Sequence, residues 1–209
     1  MRTVPSIRGL YAVTPNSADT ALLVKQVSAA IEGGATLVQY RNKDADASLR
    51  LQQATRLLAL CRGHSIPLIV NDHLDLCLAI NADGLHLGGT DGDIDAARQC
   101  LGQNQLLGVS CYDRMELAVQ AKQAGADYVA FGSCFRSGTK PMAPTAPLEL
   151  LGKAKQLSIA VVAIGGITAE NADLVIAAGA DAIAVISALW MAQDVRRASQ
   201  IFSNLFLQN

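Results

Sequence analysis

Hydrophobic and polar positions along the chain follow two alternating patterns. Short runs of Val, Ile, Leu and Ala, bounded by glycine or small polar residues, predict strands that are buried on both faces. These runs cover Gly9 to Thr14, Leu37 to Tyr40, Leu68 to Val70, Gly84 to Leu87, Leu106 to Val109, Tyr128 to Phe131, Ala160 to Ile164 and Ala182 to Ile186. The segments between and after them space apolar residues three and four positions apart and predict helices. These helices cover Ala18 to Glu32, Ala47 to Arg62, Leu74 to Ile80, Ile94 to Leu101, Met115 to Ala124, Leu148 to Leu157, Ala169 to Ala177 and Leu189 to Leu207.

Strands that alternate with helices from end to end indicate parallel βαβ units. Four similar tripeptides each end a helix, as a C-cap would, and enter an even-numbered strand: Gly34-Ala35-Thr36, Asn81-Ala82-Asp83, Gly125-Ala126-Asp127 and Gly179-Ala180-Asp181. We therefore predict a single-domain (β/α)8 TIM barrel over residues 1–209, near the lower size limit of that fold. A Rossmann-like open sheet is the alternative. Its dinucleotide-binding form is excluded because Thr14-Pro15-Asn16 follows the first strand in place of a glycine-rich turn.

Composition and charge restrict the class of partner. The chain is 51% hydrophobic and 17% charged, which is typical of a well-cored globular domain. The formal net charge of −1 predicts that neither nucleic acid nor a membrane is a partner, so any anionic ligand must bind a local cluster. Five cysteines form no CxxC pair and no signal peptide is recognised, which indicates a reduced, cytoplasmic protein. The oligomeric state stays open, a homo-oligomer included.

In a barrel of this kind, functional residues lie at the C-terminal ends of the strands and in the loops that follow them. The second strand leads into Gln39, Tyr40, Arg41, Asn42 and Lys43. A spacing of two puts the first, third and fifth of these side chains on one face of an extended segment. Together with Lys140 from across the barrel mouth, Arg41 and Lys43 suit a multiply charged phosphate. The alternative is that these two residues are solvated charges paired with Asp44 or Asp46.

Two aspartates, Asp72 and Asp91, follow adjacent strands and can share one Mg²⁺ whose remaining ligands are water and phosphate oxygens. Hard oxygen ligands favour magnesium over zinc, and the sequence offers no competing Cys/His set. The alternative is that each aspartate caps a helix, one beginning near Leu74 and the other after Gly92.

Gly165-Gly166 lies between a strand and a helix predicted to open at Thr168, and its backbone N–H groups are unobstructed by side chains. Ser187 ends the next strand, and loops after the last two strands of such barrels often bind phosphate. The alternative is that the glycines only form a tight turn. The segment from Gly132 to Pro147 is long and rich in small residues, which predicts a mobile lid.

Nucleophilic cysteine chemistry is a weaker hypothesis. Cys111 and Cys134 lie near the barrel mouth, but only His86 is close in strand order as a base. A histidine that ends a buried strand is more often structural.

Seven short motifs follow successive strands and carry a resemblance that covers nearly the whole chain. They are Q-x-R-x-K at Gln39 to Lys43, N-D at Asn71-Asp72, A-D-G-x-H-L-G from Ala82 with the trailing Asp91, G-V-S ending at Ser110, T-K at Thr139-Lys140, I-G-G-I from Ile164 and V-I-S ending at Ser187. In these motifs the chain resembles the thiamine-phosphate synthase family, also called thiamine-phosphate pyrophosphorylase. It departs from the family at Gly89, Ser133 and Ser137, where glutamine, proline and threonine are common.

The resemblance implies a Mg²⁺-dependent transferase with two small-molecule substrates. It would join an aminopyrimidine-methyl diphosphate to hydroxyethylthiazole phosphate, or to a thiazole phosphate that carries a carboxylate. The products would be thiamine monophosphate and pyrophosphate, formed by a dissociative substitution. The pyrimidine diphosphate would be bound by Gln39, Tyr40, Arg41, Asn42, Lys43, Asn71, Ser110 and Lys140. The thiazole phosphate would be bound by Ser137, Gly138, Thr139, Gly166, Ile186 and Ser187. Asp72 and Asp91 would hold Mg²⁺, and no protein nucleophile is implied.

Three other functions are weighed against this one. A thiazole tautomerase of the same fold would need neither Mg²⁺ nor a diphosphate clamp, and a non-catalytic barrel that senses thiamine precursors could lose the aspartate pair. A phosphate-handling isomerase or aldolase would need a buried lysine or carboxylate as base, and none stands out at a strand end.

Overall fold

Eight parallel strands form a closed barrel in the computed structural model, which describes residues 6–88, 92–136 and 145–207. The strands are β1 (Gly9–Val13), β2 (Ala35–Tyr40), β3 (Leu68–Asn71), β4 (Gly84–Leu87), β5 (Leu106–Tyr112), β6 (Tyr128–Phe131), β7 (Ala160–Ile164) and β8 (Ala182–Val185). Each strand pairs with the next, and β1 also pairs with β8, with Leu10 opposite Ile183. The predicted barrel is confirmed. The open sheet is wrong, because such a sheet would leave its two edge strands unpaired.

Helices cover the outside of the barrel between successive strands. They are α1 (Thr20–Glu32), α2 (Ala47–Gly63), α3 (Leu74–Ala79), α4 (Ile94–Leu101), α5 (Met115–Gln123), α6 (Glu149–Lys155), α7 (Ala172–Ala177), α8 (Ser187–Trp190) and α9 (Val195–Asn204). Among the described residues, none of these helices has the length and apolar character needed to cross a membrane.

Several helix ends differ from the prediction by one or two residues. Two helices differ by more, and polar side chains explain both of these differences. The Asn171 side chain accepts a hydrogen bond from the Thr168 backbone N–H (2.9 Å) and donates one to the Gly166 carbonyl (3.0 Å). These bonds form a turn, so α7 begins at Ala172 rather than Ala169. In the C-terminal region, Asp194 caps a new helix by accepting from a backbone N–H. The single predicted helix from Leu189 to Leu207 is therefore two helices, α8 and α9.

Side chains alternate across each strand and divide the apolar core into two layers. Outward-facing residues join the helices in one large cluster. The interior cluster consists of Ile7, Tyr11, Val13, Leu37, Ile69, Leu106, Tyr128, Ala130, Val162, Ala182 and Ala184. The Tyr128 ring lies against the backbone of Gly108, where an added Cβ would collide with that ring. Glycine at position 108 therefore makes room for a large aromatic side chain inside the barrel.

The repeated tripeptides have a structural role at the N-terminal end of the barrel. Their first residues adopt left-handed φ angles just after a helix, as the C-cap prediction requires: Gly34 (98°), Asn81 (52°), Gly125 (84°) and Gly179 (111°). The three aspartates each accept a hydrogen bond from a backbone N–H of the preceding strand: Asp83 from Leu68 (2.9 Å), Asp127 from Leu107 (2.8 Å) and Asp181 from Val161 (2.8 Å). Thr36 takes the fourth position and donates to the Arg8 carbonyl (2.6 Å). The repeat thus joins neighbouring strands at the end opposite the predicted site.

Candidate functional site

The C-terminal ends of the strands surround a cavity of about 710 Å³. Its walls include nine of the residues that the sequence predicts as ligand contacts: Gln39, Arg41, Lys43, Asn71, Asp72, Ser110, Gly166, Ile186 and Ser187. These nine residues come from five strands and the loops that follow them, and they meet in one place, as expected for a barrel. The predicted residues Asp91, Ser137, Gly138, Thr139 and Lys140 lie outside the described residues, as does part of the predicted lid at 132–147.

Arg41 and Lys43 form a cationic side of the cavity and are held by the loop after β1. The Thr14 hydroxyl accepts from the Arg41 backbone N–H (2.8 Å) and donates to the Arg41 carbonyl (2.9 Å). Asn16 Oδ1 accepts from Arg41 Nη1 (3.3 Å) and from the Lys43 backbone N–H (3.1 Å). Sequence reasoning missed Thr14 and Asn16 as supports, because nothing in their local pattern points to a loop that follows β2.

The carboxylates proposed as alternative partners of these cations have other contacts. Asp44 Oδ2 accepts from the Asn16 side chain (2.7 Å), and Asp46 caps α2 by accepting from a backbone N–H at 2.8 Å. Lys43 Nζ lies 3.5 Å from Asp72 Oδ2 at the cavity wall. The two cations therefore belong to the cavity.

The side chains of Tyr40 and Asn42 are buried behind the cavity wall, and the predicted role of these two residues as ligand contacts stays a prediction. Tyr40 Oη donates to Gln53 Oε1 on α2 (2.9 Å), and Asn42 Nδ2 donates to the same oxygen (3.0 Å) and to the Ser17 carbonyl (2.7 Å). Alternate residues of an extended segment point to opposite faces, so these two point toward the helices. They anchor the loop whose other residues face the cavity.

Asp72 presents its carboxylate at the cavity directly after β3. Its φ of 64° lies in the left-handed region, which aspartate and asparagine adopt more readily than most residues. Its backbone N–H donates to the His86 carbonyl (2.9 Å), which fixes the turn. The capping alternative fails here, because the N-cap of α3 is His73.

The capping position proposed for Asp91 is also taken by another residue. Asp93 is the N-cap of α4 and accepts from the backbone N–H groups of Asp95 (2.9 Å) and Ala96 (3.2 Å). The N-cap of α4 is therefore Asp93 and not the residue predicted for it.

The opposite side of the cavity is lined by Gly165, Gly166, Ile186 and Ser187. A Cβ at Gly166 would lie 2.5 Å from the Phe135 carbonyl oxygen, so the turn needs glycine for close packing as well as for its φ of 65°. The helix expected to open at Thr168 does not begin there, but α8 begins at Ser187 immediately after β8. This side therefore combines a glycine turn with a short extra helix, the usual surroundings of phosphate in such barrels. Arg136, which sequence reasoning missed, also lines the cavity.

A chain of hydrogen bonds between interior side chains crosses the cavity floor. Gln39 Nε2 donates to Tyr11 Oη (2.9 Å), Tyr11 Oη lies 2.7 Å from Tyr128 Oη, and Tyr128 Oη lies 3.1 Å from His86 Nδ1. His86 Nε2 lies 2.8 Å from Ser110 Oγ. The sequence does not reveal this chain, because Tyr11 and Tyr128 are 117 positions apart and lie in runs that predict only core strands.

The two cysteines nearest the barrel mouth are poor nucleophiles. Burial raises the pKa of Cys111 to about 12 and that of Cys134 to about 11, so both thiols stay protonated near neutral pH. Both ring nitrogens of His86 are engaged by Tyr128 and Ser110. The structure therefore offers no support for the cysteine hypothesis.

Comparison with known proteins agrees with the fold and identifies the family. The family model for thiamine monophosphate synthase matches residues 10–189. Thiamine-phosphate synthase of Methylobacillus flagellatus is 52% identical over 204 residues, 98% of either chain, and that of Aromatoleum aromaticum is 52% identical over 201 residues, 96% of this chain and 97% of the relative. The solved structure of thiamine phosphate pyrophosphorylase from Pyrococcus furiosus superposes with a TM-score of 0.85 at 37% identity over 96% of each chain. The chain therefore belongs to the thiamine-phosphate synthase family of transferases.

Proposed function

We propose that this enzyme joins 4-amino-2-methyl-5-(diphosphooxymethyl)pyrimidine to 4-methyl-5-(2-phosphoethyl)thiazole, or to the carboxylate form of that thiazole. The products are thiamine monophosphate and pyrophosphate, together with carbon dioxide when the carboxylate form is the substrate. The observation that carries this proposal is a single cavity whose lining combines two cations after β2 with a glycine turn and a short helix after β7 and β8. Arg41, Lys43 and Asp72 line one side, and Gly166 and Ser187 line the other. Two such sides suit two phosphorylated substrates that must meet.

The cationic side suits the diphosphate. Arg41 supplies a planar set of donors that can bind two phosphate oxygens at once, and Lys43 supplies a compact positive charge. The loop after β1 holds both backbones, so the enzyme spends little conformational entropy on ordering this side when the substrate binds.

The proposed reaction needs no protein nucleophile and no general base. The bond between the pyrimidine methylene carbon and the diphosphate oxygen breaks, and its electron pair leaves with pyrophosphate. The thiazole nitrogen then donates its lone pair to the methylene cation, and because that nitrogen carries no hydrogen, no proton moves in this step. With the carboxylate form, the ring carbon also loses carbon dioxide and takes up a proton from water. Arg41 and Lys43 stabilise the negative charge that grows on the leaving group. A site closed from water keeps the cation for the thiazole.

The donor set on this side fits a magnesium ion. Asp72 offers a hard carboxylate at the cavity wall, and Mg²⁺ usually takes one or two carboxylates and completes its shell with water and phosphate oxygens. Asp72 and Asp91 would hold the ion. When bound, it supplies positive charge to the diphosphate and so favours departure of pyrophosphate.

Direct synthesis tests the proposal. The protein is incubated with Mg²⁺ and both substrates, and thiamine monophosphate is measured, with each substrate omitted in turn as a control. Product that requires both substrates supports the proposal. Conversion of the thiazole phosphate carboxylate without coupling would indicate a tautomerase, and binding without turnover would indicate a sensor.

A further inference from the structure

The hydrogen-bonded chain across the cavity floor ends at a cavity-lining side chain on each side, Gln39 and Ser110. We propose that Tyr11, Tyr128 and His86 are positioning residues that couple the orientation of the Gln39 amide to the direction of every other hydrogen bond in this chain. As a result, Gln39 presents its carbonyl oxygen and Ser110 presents its hydroxyl hydrogen to the pyrimidine ring of the substrate. The identity of that ligand rests on the proposed function, whereas the direction of the chain rests on donor counting in the free protein.

Donor counting begins at Gln39. A phenol has one hydrogen to donate and two lone pairs with which to accept. Gln39 Nε2 donates to Tyr11 Oη and is unable to accept, so the Tyr11 hydrogen is directed at its other partner, Tyr128 Oη. That bond is then occupied, and the Tyr128 hydrogen is directed at His86 Nδ1.

The same counting fixes the histidine and the serine. His86 Nδ1 accepts, so the neutral ring carries its hydrogen on Nε2 and donates to Ser110 Oγ. The Ser110 oxygen accepts that bond, which leaves its own hydrogen for an acceptor elsewhere in the cavity. Turning the Gln39 amide around would reverse every bond and exchange donor for acceptor at both ends of the chain.

Burial makes this arrangement costly to break. Tyr11 and Tyr128 are almost completely buried, and burial raises the pKa of both phenols, so they remain protonated. The Tyr128 ring is held edge-on to Tyr11 (centroids 5.9 Å apart) and is stacked on His86 (5.6 Å). Leaving a buried donor or acceptor of this cluster unpaired would destabilise the folded protein. All bonds of the chain therefore run in the same direction at any one time.

The two ends match an aminopyrimidine. Its exocyclic amino group donates hydrogen bonds and its ring nitrogens accept them, so it needs an acceptor such as the Gln39 oxygen and a donor such as the Ser110 hydroxyl. An analogue with an oxo group in place of the amino group would set an acceptor against the Gln39 oxygen. We expect that analogue to bind about 100-fold more weakly, because a polar site discriminates strongly against a ligand that leaves its groups unpaired.

The tautomer of His86 tests the direction of the chain without any ligand. Long-range ¹H–¹⁵N spectra of the free, ¹⁵N-labelled protein distinguish the Nε2–H from the Nδ1–H tautomer, and the His86 signals are assigned by their loss in His86→Gln. The Nε2–H tautomer is the expected result. The Nδ1–H tautomer would overturn the proposal, because the chain would then run in the opposite direction.

Tyr128→Phe tests the positioning role, because it keeps the ring but removes the hydroxyl that links the two halves of the chain. We expect the KM for the pyrimidine diphosphate to rise about tenfold, roughly the contribution of one hydrogen bond, while the KM for the thiazole phosphate stays unchanged. The His86 spectrum should also change, since Nδ1 loses its donor. Tyr11→Phe interrupts the same chain and should have the same effect, which provides a second variant if the first folds poorly.

Ser199→Ala is the matched control. It removes a buried hydroxyl that donates to the Val195 carbonyl (2.8 Å) in α9, away from the cavity. It should lower stability and leave both KM values unchanged. If Tyr128→Phe and Tyr11→Phe behave in the same way as this control, the chain is only structural and the proposal is overturned. Failure to form thiamine monophosphate would instead refute the proposed function and leave the tautomer result standing.

Discussion

Single residues in the cavity combine a local backbone requirement with a charge. Asp72 adopts a left-handed φ of 64° and is 20% exposed at its side chain, beside the half-exposed Lys43. An exposed ion pair of this kind contributes little to stability. The pair sets a carboxylate and an ammonium group side by side at the cavity wall, where the proposed reaction would use both charges.

Asp72→Asn separates the charge of this residue from its backbone role. Asparagine also tolerates left-handed φ, so the fold should be kept, while the loss of the carboxylate should weaken Mg²⁺-dependent coupling about 100-fold or more. The measurement is kcat/KM for the pyrimidine diphosphate at several Mg²⁺ concentrations. Asp75→Asn, an exposed change in the first turn of α3, is the control and should keep full activity. Full activity in Asp72→Asn would show that this carboxylate is not needed for metal binding.

Residues whose role follows from local spacing were predictable, and residues whose role depends on distant partners were not. The spacing of two in Gln39, Arg41 and Lys43 is visible in the sequence, and all three line the cavity. The same rule, applied consistently, would have turned Tyr40 and Asn42 away from the cavity. Tyr128, by contrast, acquires its role only when barrel closure brings it to Tyr11 and His86.

At the scale of elements, the site depends on how loops pack against one another. The turn at Gly165-Gly166 lies against the first residues after β6, with a Gly166 Cβ position 2.5 Å from the Phe135 carbonyl oxygen and 2.7 Å from that of Arg136. The tight-turn alternative and the phosphate hypothesis are therefore compatible, because the same glycines allow both the turn and the loop contact. Helix boundaries here were mispredicted since Asn171 and Asp194 compete for backbone groups that apolar periodicity does not register.

Gly166→Ala should damage this loop contact, and Gly102→Ala provides a control with the same φ. Both glycines have a φ of 65°, but an alanine Cβ at 102 meets nothing within 4 Å, whereas at 166 it meets two backbone carbonyls. Both changes should cost about 1 kcal/mol or more in stability from backbone strain. Only Gly166→Ala should raise the KM for the thiazole phosphate, by about tenfold. Equal KM values in the two variants would argue against a role of this turn in binding.

At the scale of the whole molecule, the two ends of the barrel have different tasks. The N-terminal end carries the aspartates of the sequence repeat, which join strand to strand, and the C-terminal end carries the cavity. Asp127 also pairs with Arg98 at 2.8 Å, with both side chains largely buried, whereas Asp181 pairs with Lys155, whose side chain is 44% exposed. The charges of the N-terminal end thus join strands and helices to one another, whereas the two cations Arg41 and Lys43 at the C-terminal end line the cavity.

Arg98→Met should destabilise the barrel without affecting catalysis. Arg98 donates to the carbonyls of Gly102, Gln105 and Gly125 as well as to Asp127, so its replacement removes four hydrogen bonds at once. We expect the free energy of unfolding in urea to fall by about 2–4 kcal/mol, with kcat/KM unchanged below the transition. Lys155→Met removes an ion pair that is more exposed than the Arg98–Asp127 pair. It should lower the free energy of unfolding by about 1 kcal/mol or less. A larger loss of stability in Lys155→Met than in Arg98→Met would contradict this account of the N-terminal end.

The rate at which a reagent modifies the thiols tests two points, namely that the folded barrel buries four cysteines and that the proposed reaction uses none of them. All five cysteines are free, and only Cys100 is exposed, while Cys61, Cys77, Cys111 and Cys134 are buried. Burial raises the pKa of Cys61 and of Cys77 to about 12, as it does for Cys111, so these thiols are both shielded and protonated. A thiol reagent at neutral pH should therefore modify one cysteine quickly and the other four only as fast as the barrel opens.

Since the proposed reaction uses no protein nucleophile, the singly modified enzyme should keep its full rate of thiamine monophosphate formation. Rapid modification of a second thiol with loss of that rate would indicate a reactive cysteine at the cavity and would contradict a reaction driven by stabilisation of the leaving group.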